Sequence, residues 1–446
     1  MIDQVVDRIT DRSARGIAAA VGRLISAGEL TTGTRLPTVR ELSKALGVSP
    51  TTVSEAWQSL AAVGAIDARG RQGTFVSRPT GPITPRRYRR VTEGPGRFAL
   101  DLSTGTPDPA LLPDLGPVIA RVNRQSLTGS YLDRPVLPEL EERVRADWPF
   151  VPEALTVVDG AMDALDRVAG VVVRLGDRVV VEQPAFPPLL DLLDLLGAEV
   201  IGVDLDEEGM QPDGLAAAAA TGVRAVFLQP RAHNPTGITL TSSRARQLAA
   251  ILAGSGAIIV EDDHSGDIAS GALVSLGQWM PSLTVHIRSY SKSHGPDLRL
   301  AAVGGAGDVV TAVINRRLLG PGWSSRILQA VLVEMLDHQP TIDAVAAARH
   351  EYARRRRAVT DVLAAHHVEF TGTDGINLWM MVADERSALL TLAAQGIGAA
   401  PGEPFMVSEG PPALRVTVGL IDHDIEGCAT RLADAAGNEP PRSGQR

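Results

Sequence analysis

Two lysines, Lys44 and Lys292, stand among 43 basic residues in a chain of 446, so nearly all of the positive charge is written as arginine. A lysine kept against that bias points to chemistry that guanidinium lacks. An amine can lose its proton and attack a carbonyl carbon, whereas arginine stays charged. Lys292 lies in Ser289-Tyr290-Ser291-Lys292-Ser293-His294-Gly295-Pro296-Asp297-Leu298-Arg299, a polar stretch suited to an imine-forming amine beside a phosphate held by Arg299 and Ser289. Two further polar motifs precede it, Asn234-Pro235-Thr236-Gly237 and Glu261-Asp262-Asp263-His264. An acid can keep a ring nitrogen protonated, an amide can donate to a ring oxygen, and an amine can hold an aldehyde. Asp262, Asn234 and Lys292 are therefore what a pyridine aldehyde cofactor asks for. Phe186 is placed to stack on such a ring, and the helix opening after Gly160, at Ala161, offers backbone N–H groups to its phosphate. Singly, each signal has a plainer reading. Asn-Pro-Thr-Gly makes a good β-turn, and acids after a strand often cap the next helix.

The elements that must position these residues follow from the apolar pattern. Val157-Val158, Arg178 to Glu182, Glu199 to Val203, Ala225 to Leu228, Ala257 to Glu261 and Leu283 to Ile287 read as buried strands separated by helical stretches. Strands alternating with helices predict an α/β domain with a mostly parallel sheet, with ligands beyond the strand ends where the polar motifs fall.

At 446 residues, 44% hydrophobic and 21% charged, the chain has room for two or more domains and a large core. No apolar run approaches the length of a membrane span, and the N-terminus lacks a basic-then-apolar signal pattern. The one cysteine, Cys428, excludes an internal disulfide framework and points to the cytoplasm, and so few Cys and His leave no zinc cluster. Net charge is −9 overall, yet residues 1–97 carry 15 basic and 8 acidic residues, leaving +7 on the head and −16 on the rest. A basic head on an acidic body predicts that the head alone meets a polyanion.

That head has its own pattern. Arg15 to Ala27 reads as an amphipathic helix stopped by Gly28. A second helix opens near Pro37 and ends at Gly47, and a third runs from Ser49-Pro50-Thr51-Thr52 through Trp57 to Val63. Residues 64–76 read as two short strands around a basic, Gly-rich tip, which makes a wing. The pattern resembles the winged helix-turn-helix of GntR-family repressors. The carrying residues are Leu36-Pro37-Thr38-Val39-Arg40-Glu41-Leu42, Leu46-Gly47-Val48-Ser49 with Thr51-Thr52-Val53, and Gly70-Arg71-Gln72-Gly73-Thr74-Phe75-Val76. The resemblance implies contacts to double-stranded DNA by Arg40, Ser49, Thr51, Thr52, Arg69 and Gly70, with the third helix in the major groove. Pro50 stands where that family commonly has Arg.

Residues 98–436 resemble the fold-type I, aspartate-aminotransferase-like domains, on the ordered Asn234, Asp262 and Lys292 motifs. The expected fold is α/β: a winged helix-turn-helix at 1–78, a flexible linker at 79–97, large and small aminotransferase-like domains at 98–436 with the small part mainly 318–436, and a disordered tail at 437–446. The resemblance implies pyridoxal 5′-phosphate as cofactor, held by Lys292, Asp262, Asn234, His264, Phe186, Gly160, Ala161, Ser289 and Arg299. It further implies that Tyr131 reaches the phosphate of a neighbouring subunit and that Arg415 takes an effector carboxylate. Some positions depart from the family. His264 replaces a Tyr, and as a residue titrating near neutrality it would make the ring pH-sensitive. Asp159 replaces a Ser or Thr and brings a carboxylate to the phosphate end, and Val136 and Leu132 replace glycines. These changes point away from efficient transamination rather than from cofactor binding.

A GntR-type head on such a body resembles the MocR-type regulators. That implies a homodimeric, cytoplasmic transcription factor whose heads rest on partner bodies and whose effector is pyridoxal phosphate or an amine or amino acid reacting with it. Two rival readings are an active aminotransferase with an accessory DNA-binding head, and a DNA-binding protein whose body is a cofactor-free dimerisation scaffold.

Overall fold

In the Arg178–Gln183 strand, consecutive residues Val179, Val180 and Val181 are all fully buried. Because side chains alternate across a strand, Val179 and Val181 enter one core and Val180 another, so both sheet faces are covered. We describe this arrangement from a computed structural model, which covers residues 2–26, 29–62, 65–68, 73–77, 85–92, 98–122, 129–130 and 132–437.

The large sheet has eight strands in the order Ala154–Val158, Ala301–Gly305, Thr284–Ser289, Ile258–Asp263, Ala225–Leu228, Arg178–Gln183, Glu199–Asp206 and Gly209–Met210. The five from Thr284–Ser289 through Glu199–Asp206 are mutually parallel. Ala301–Gly305 runs antiparallel to both of its neighbours. Helices Ala161–Val172, Pro187–Leu196 and Gly307–Leu318 cover one face, and Pro212–Ala219 and Ser242–Leu252 the other. The polar motifs therefore gather at one edge, beyond the C-terminal ends of the parallel strands.

A second, smaller unit holds a four-stranded antiparallel sheet, ordered Phe370–Thr371, Leu378–Met381, Ala413–Val416 and Ala400–Pro401. Helices Gln339–Ala365, Glu385–Ala394 and Ile425–Ala436 pack on it. Its limits differ from the expected 318–436. Leu332 and Met335, on the Arg326–Asp337 helix, pack with Leu140 and Tyr290 on the large unit. At the other end, the Leu100–Asp101 strand pairs with Ile397–Gly398 and so joins the small unit.

In the head, local chemistry sets the helices. Thr38 and Glu41 form a reciprocal capping box at the start of Val39–Leu46, and Gly47 ends that helix in the left-handed region at φ 67°. Ser49 then caps Pro50–Ala62, its hydroxyl accepting from Thr52 N–H at 3.1 Å. Ile66–Ala68 and Thr74–Val76 pair antiparallel as the base of a wing. The head touches its own body: Arg15 meets Asp177 at 2.6 Å and Leu175 packs against the head core.

The expected open linker is in part structured. Arg86–Thr92 is a helix. Its four arginines would repel one another in isolation; Asp191, Asp194 and Glu403 of the body stabilise it. Residues 438–446, most of the expected tail, lie outside the described residues, as do Tyr131 and the wing tip with Arg69 and Gly70.

Candidate functional site

Ala161, Phe186, Asn234, Asp262, His264, Ser289, Lys292, Arg299 and Arg415 line one cleft at the strand ends. They come from separate elements, and the parallel sheet brings them together. Asp262 is the penultimate residue of the Ile258–Asp263 strand, which is buried along its whole length. Its Oδ2 accepts from Gln229 Nε2 at 2.8 Å, while its Oδ1 is buried without a partner. Burial, opposed by the Gln229 bond and the Lys292 charge, raises the Asp262 carboxyl to about 6. An unpartnered carboxylate oxygen facing a cleft fits a protonated ring nitrogen.

Asn234 is oriented from both units. Its backbone N–H donates to Gln229 Oε1 at 2.8 Å, and its Oδ1 accepts from Asn377 Nδ2 at 3.3 Å. With the carbonyl oxygen engaged, the carboxamide N–H groups are left for a ring oxygen. Asn377 Oδ1 in turn accepts from Thr417, whose hydroxyl also receives Gly105 N–H at 2.9 Å.

Burial pulls the Lys292 ammonium down to about 8, with Asp262 supporting the charge and Arg415 opposing it. The neutral, nucleophilic amine is thus within reach of physiological pH. His264 differs from the expectation. Burial first, and then the neighbouring Lys292, push its imidazole well below its usual range, so it remains neutral rather than titrating near neutrality. Its Nε2 lies 3.2 Å from Ser265 Oγ and its Nδ1 is buried without a partner.

The phosphate end is a cradle. Gly160 precedes the Ala161–Val172 helix with φ 102°, and a Cβ there would lie 3.3 Å from the Arg299 guanidinium carbon. Glycine lets Arg299 pass close over the helix start, where it donates to the Asp159 carbonyl at 3.0 Å. Asp159 stands at this end as expected, but its carboxylate has a partner of its own. Its Oδ2 pairs with the buried Arg317 at 3.1 Å, which neutralises it. Ser289 Oγ accepts from Ser291 N–H at 3.3 Å beside Lys292.

At the opposite end Arg415 is buried, donates to the Ser103 carbonyl and lies 5.2 Å over the Phe405 ring. Its Nε has no partner, and burial pulls its guanidinium down to about 10. Gly105 keeps room beside it, since a Cβ there would stand 2.8 Å from Nη1. A buried cation with an unused N–H fits a carboxylate. The orphaned Asp262, His264 and Arg415 atoms, the poised amine and the glycine cradle together fit pyridoxal 5′-phosphate and an amino-acid carboxylate.

Behind the acid lies a layer that sequence reasoning missed. Gln229 N–H donates to Glu182 at 2.7 Å, and Glu182 lies 3.3 Å from His233 Nε2. Burial raises Glu182 to about 8 and lowers His233 to about 3, so this inner pair favours its uncharged forms. Gln229, Asn377 and Arg317 carry no motif signal. Only Gln229 was within reach, as the polar residue directly after the Ala225–Leu228 strand.

In the head, Arg40, Ser49 and Thr51 are exposed and Thr52 is half-buried. Ser49 Oγ and Thr52 Oγ1 are 2.8 Å apart, so those two hydroxyls are mutually engaged in the unbound chain. Among the described residues no group of His, Cys, Asp and Glu could hold a metal, and no helix is long and apolar enough to cross a membrane.

Comparison with known proteins divides the chain in the same way. Residues 13–76 match the model for bacterial regulatory proteins of the gntR family, and residues 99–432 that for aminotransferase class I and II. The vitamin B6 salvage pathway transcriptional repressor PtsJ of Salmonella typhimurium is 34% identical over 443 residues, covering 96% of this chain and 99% of its own. The HTH-type transcriptional regulator TauR of Rhodobacter capsulatus is 29% identical, covering 85% of this chain and 87% of its own. Among solved structures, the α-aminoadipate aminotransferase LysN of Thermus thermophilus aligns with a TM-score of 0.70 at 22% identity, covering 78% of this chain and 94% of that one. The multiple substrate aminotransferase of Thermococcus profundus gives 0.71 at 19% identity, covering 80% and 95%.

Proposed function

This chain belongs to the transcriptional regulators that join a gntR-family helix-turn-helix to an aminotransferase class I and II body, and we propose that its body senses pyridoxal 5′-phosphate, or an amino compound bound with it, to set the head's hold on DNA. The observation that carries the reading is the cleft in which a poised Lys292 faces an acid with one unpartnered oxygen. The relative named for vitamin B6 salvage supports the cofactor itself as a sensed ligand.

When bound, pyridoxal 5′-phosphate supplies an aldehyde carbon for an amine and a ring that draws electrons. The chain's own residues do the rest. Asp262 accepts from the ring nitrogen, Asn234 donates to the ring oxygen, Phe186 covers one ring face, and His264 adds a neutral hydrogen-bonding partner. Gly160, Ala161, Ser289 and Arg299 hold the phosphate, and Lys292 supplies the amine. Arg415 docks the carboxylate of an amino-compound effector. A homodimer in which Tyr131 reaches the neighbouring phosphate, acting in the cytoplasm, fits the same scheme. On the head, Arg40, Thr51 and the wing residues Arg69 and Gly70 meet DNA together with Ser49 and Thr52. The ligand acts only by binding two conformations of the chain with different affinity.

Purified protein loaded with pyridoxal phosphate tests this directly. Visible absorbance of the bound cofactor is expected, together with a cofactor-dependent change in affinity for DNA flanking the protein's own gene. Both should vanish in Lys292→Ala. Rapid turnover of ordinary amino acids would instead favour the aminotransferase reading, and a colourless protein the scaffold reading.

A further inference from the structure

Between head and body, the Arg86–Thr92 helix touches both units of the body across the mouth of the cleft. On the large unit, the Asp191 carboxylate accepts the backbone N–H groups of Arg87 at 3.1 Å and Tyr88 at 3.0 Å. The Arg87 guanidinium pairs with Asp194 on that same helix, Pro187–Leu196, whose first cap is Phe186. On the small unit, Arg90 meets Glu403 at 2.6 Å, and Val91 is buried with Trp379, Phe405 and Ala413. Phe405 is the ring over which Arg415 lies. Tyr88 and Val91 line the same cleft as Lys292 and Arg415.

We propose that Tyr88 belongs to the effector site, where it reads the carboxylate of an amino-acid-class ligand together with Arg415, and that its helix carries the contact to the DNA-binding head. This rests on the reading of Arg415 as the carboxylate dock. A carboxylate accepts about four hydrogen bonds. Arg415 already spends one N–H on Ser103, so a second donor beside it completes the recognition. The coupling follows from the attachments. The ion pairs at both ends are partly exposed and individually weak, whereas Val91 is buried against the small unit. A ligand that draws Arg415 and Phe405 toward Lys292 carries Val91 with them, and the hold of Asp191 and Asp194 yields. The Arg86–Thr92 helix then moves with the small unit.

The test uses the full-length chain loaded with pyridoxal phosphate. The probes are glycine and 2-methylalanine, the latter with an amine and a carboxylate but no α-hydrogen to lose. Probe binding is read by visible absorbance, the helix by hydrogen exchange over residues 86–92, and the head by affinity for DNA flanking the protein's own gene. Tyr88→Phe is expected to weaken both probes about tenfold, the loss of one hydrogen bond to a charged group. Asp194→Asn, which loosens the helix at the Arg87 guanidinium and leaves the Asp191 seat of Tyr88 intact, is expected to hold probe affinity within about twofold while flattening the DNA response. Probe affinity unchanged in Tyr88→Phe, or a full DNA response in Asp194→Asn, overturns the proposal. A wild-type chain that answers neither probe defeats the Arg415 reading beneath it. A wild-type chain that answers while Tyr88→Phe matches it defeats this proposal alone.

Discussion

Replacing Asp262 by Asn changes the charge of a buried side chain and almost nothing of its shape, and its consequences run in opposite directions. Gln229 Nε2 donates to Asp262 Oδ2 at 2.8 Å, so an Asn keeps that bond only by turning its carbonyl oxygen toward Gln229. Its NH2 group then faces the cleft where Oδ1 stood without a partner. A donor there cannot accept from a protonated ring nitrogen. Losing a hydrogen bond to a charged group costs about 1.5–3 kcal/mol, or roughly 10- to 150-fold in the Kd for pyridoxal phosphate. Asp262 also supports the Lys292 charge, so without it burial and Arg415 pull the amine below its value of about 8. More neutral amine is then present at pH 7. The expected variant captures cofactor faster at that pH but holds it more weakly. Stopped-flow absorbance gives the rate and equilibrium dialysis the affinity. Unchanged affinity, or weaker binding with slower capture, refutes the assignment of Asp262 to the ring and to Lys292.

Other outcomes follow from the same geometry. Cofactor capture by the wild-type chain should rise with pH through about 8, because the neutral amine attacks and burial lowers its proton affinity; a midpoint near the ordinary lysine value of 10.5 would mean a solvated amine. Asn377→Ala frees Asn234 Oδ1 and Thr417 Oγ1 and should weaken cofactor binding by about 1 kcal/mol, read by fluorescence titration. Arg40→Ala, at an exposed position on the head, should weaken DNA binding across sequences and reduce the slope against log salt by about 1, measured by fluorescence anisotropy over a salt series.

The neutral, buried His264 alters what its substitution means. An imidazole held uncharged offers its neighbours a hydrogen-bonding partner whose state does not change over the physiological range. Asp159 carries a similar lesson. A carboxylate that would oppose a phosphate is answered by Arg317, which arrives from the Gly307–Leu318 helix.

The sequence by itself determined the head and the polar residues that meet in the cleft. The capping box at Thr38 and Glu41 and the left-handed Gly47 are local chemistry, written within one turn of the helices they set. Lys292, Asp262 and Asn234 are legible because one cofactor would ask for these side-chain types and each stands at or just beyond the C-terminal end of a strand. What only the tertiary structure decided is what those residues lean on. Asn377 reaches Asn234 across 143 residues, and Arg317 reaches Asp159 across 158, so neither leaves a spacing to read. The Arg86–Thr92 helix was illegible for a further reason. At seven residues, with four like charges and no apolar stripe, it is too short and self-repelling to hold alone, and Asp191, Asp194 and Glu403 converge on it while Val91 finds a buried seat.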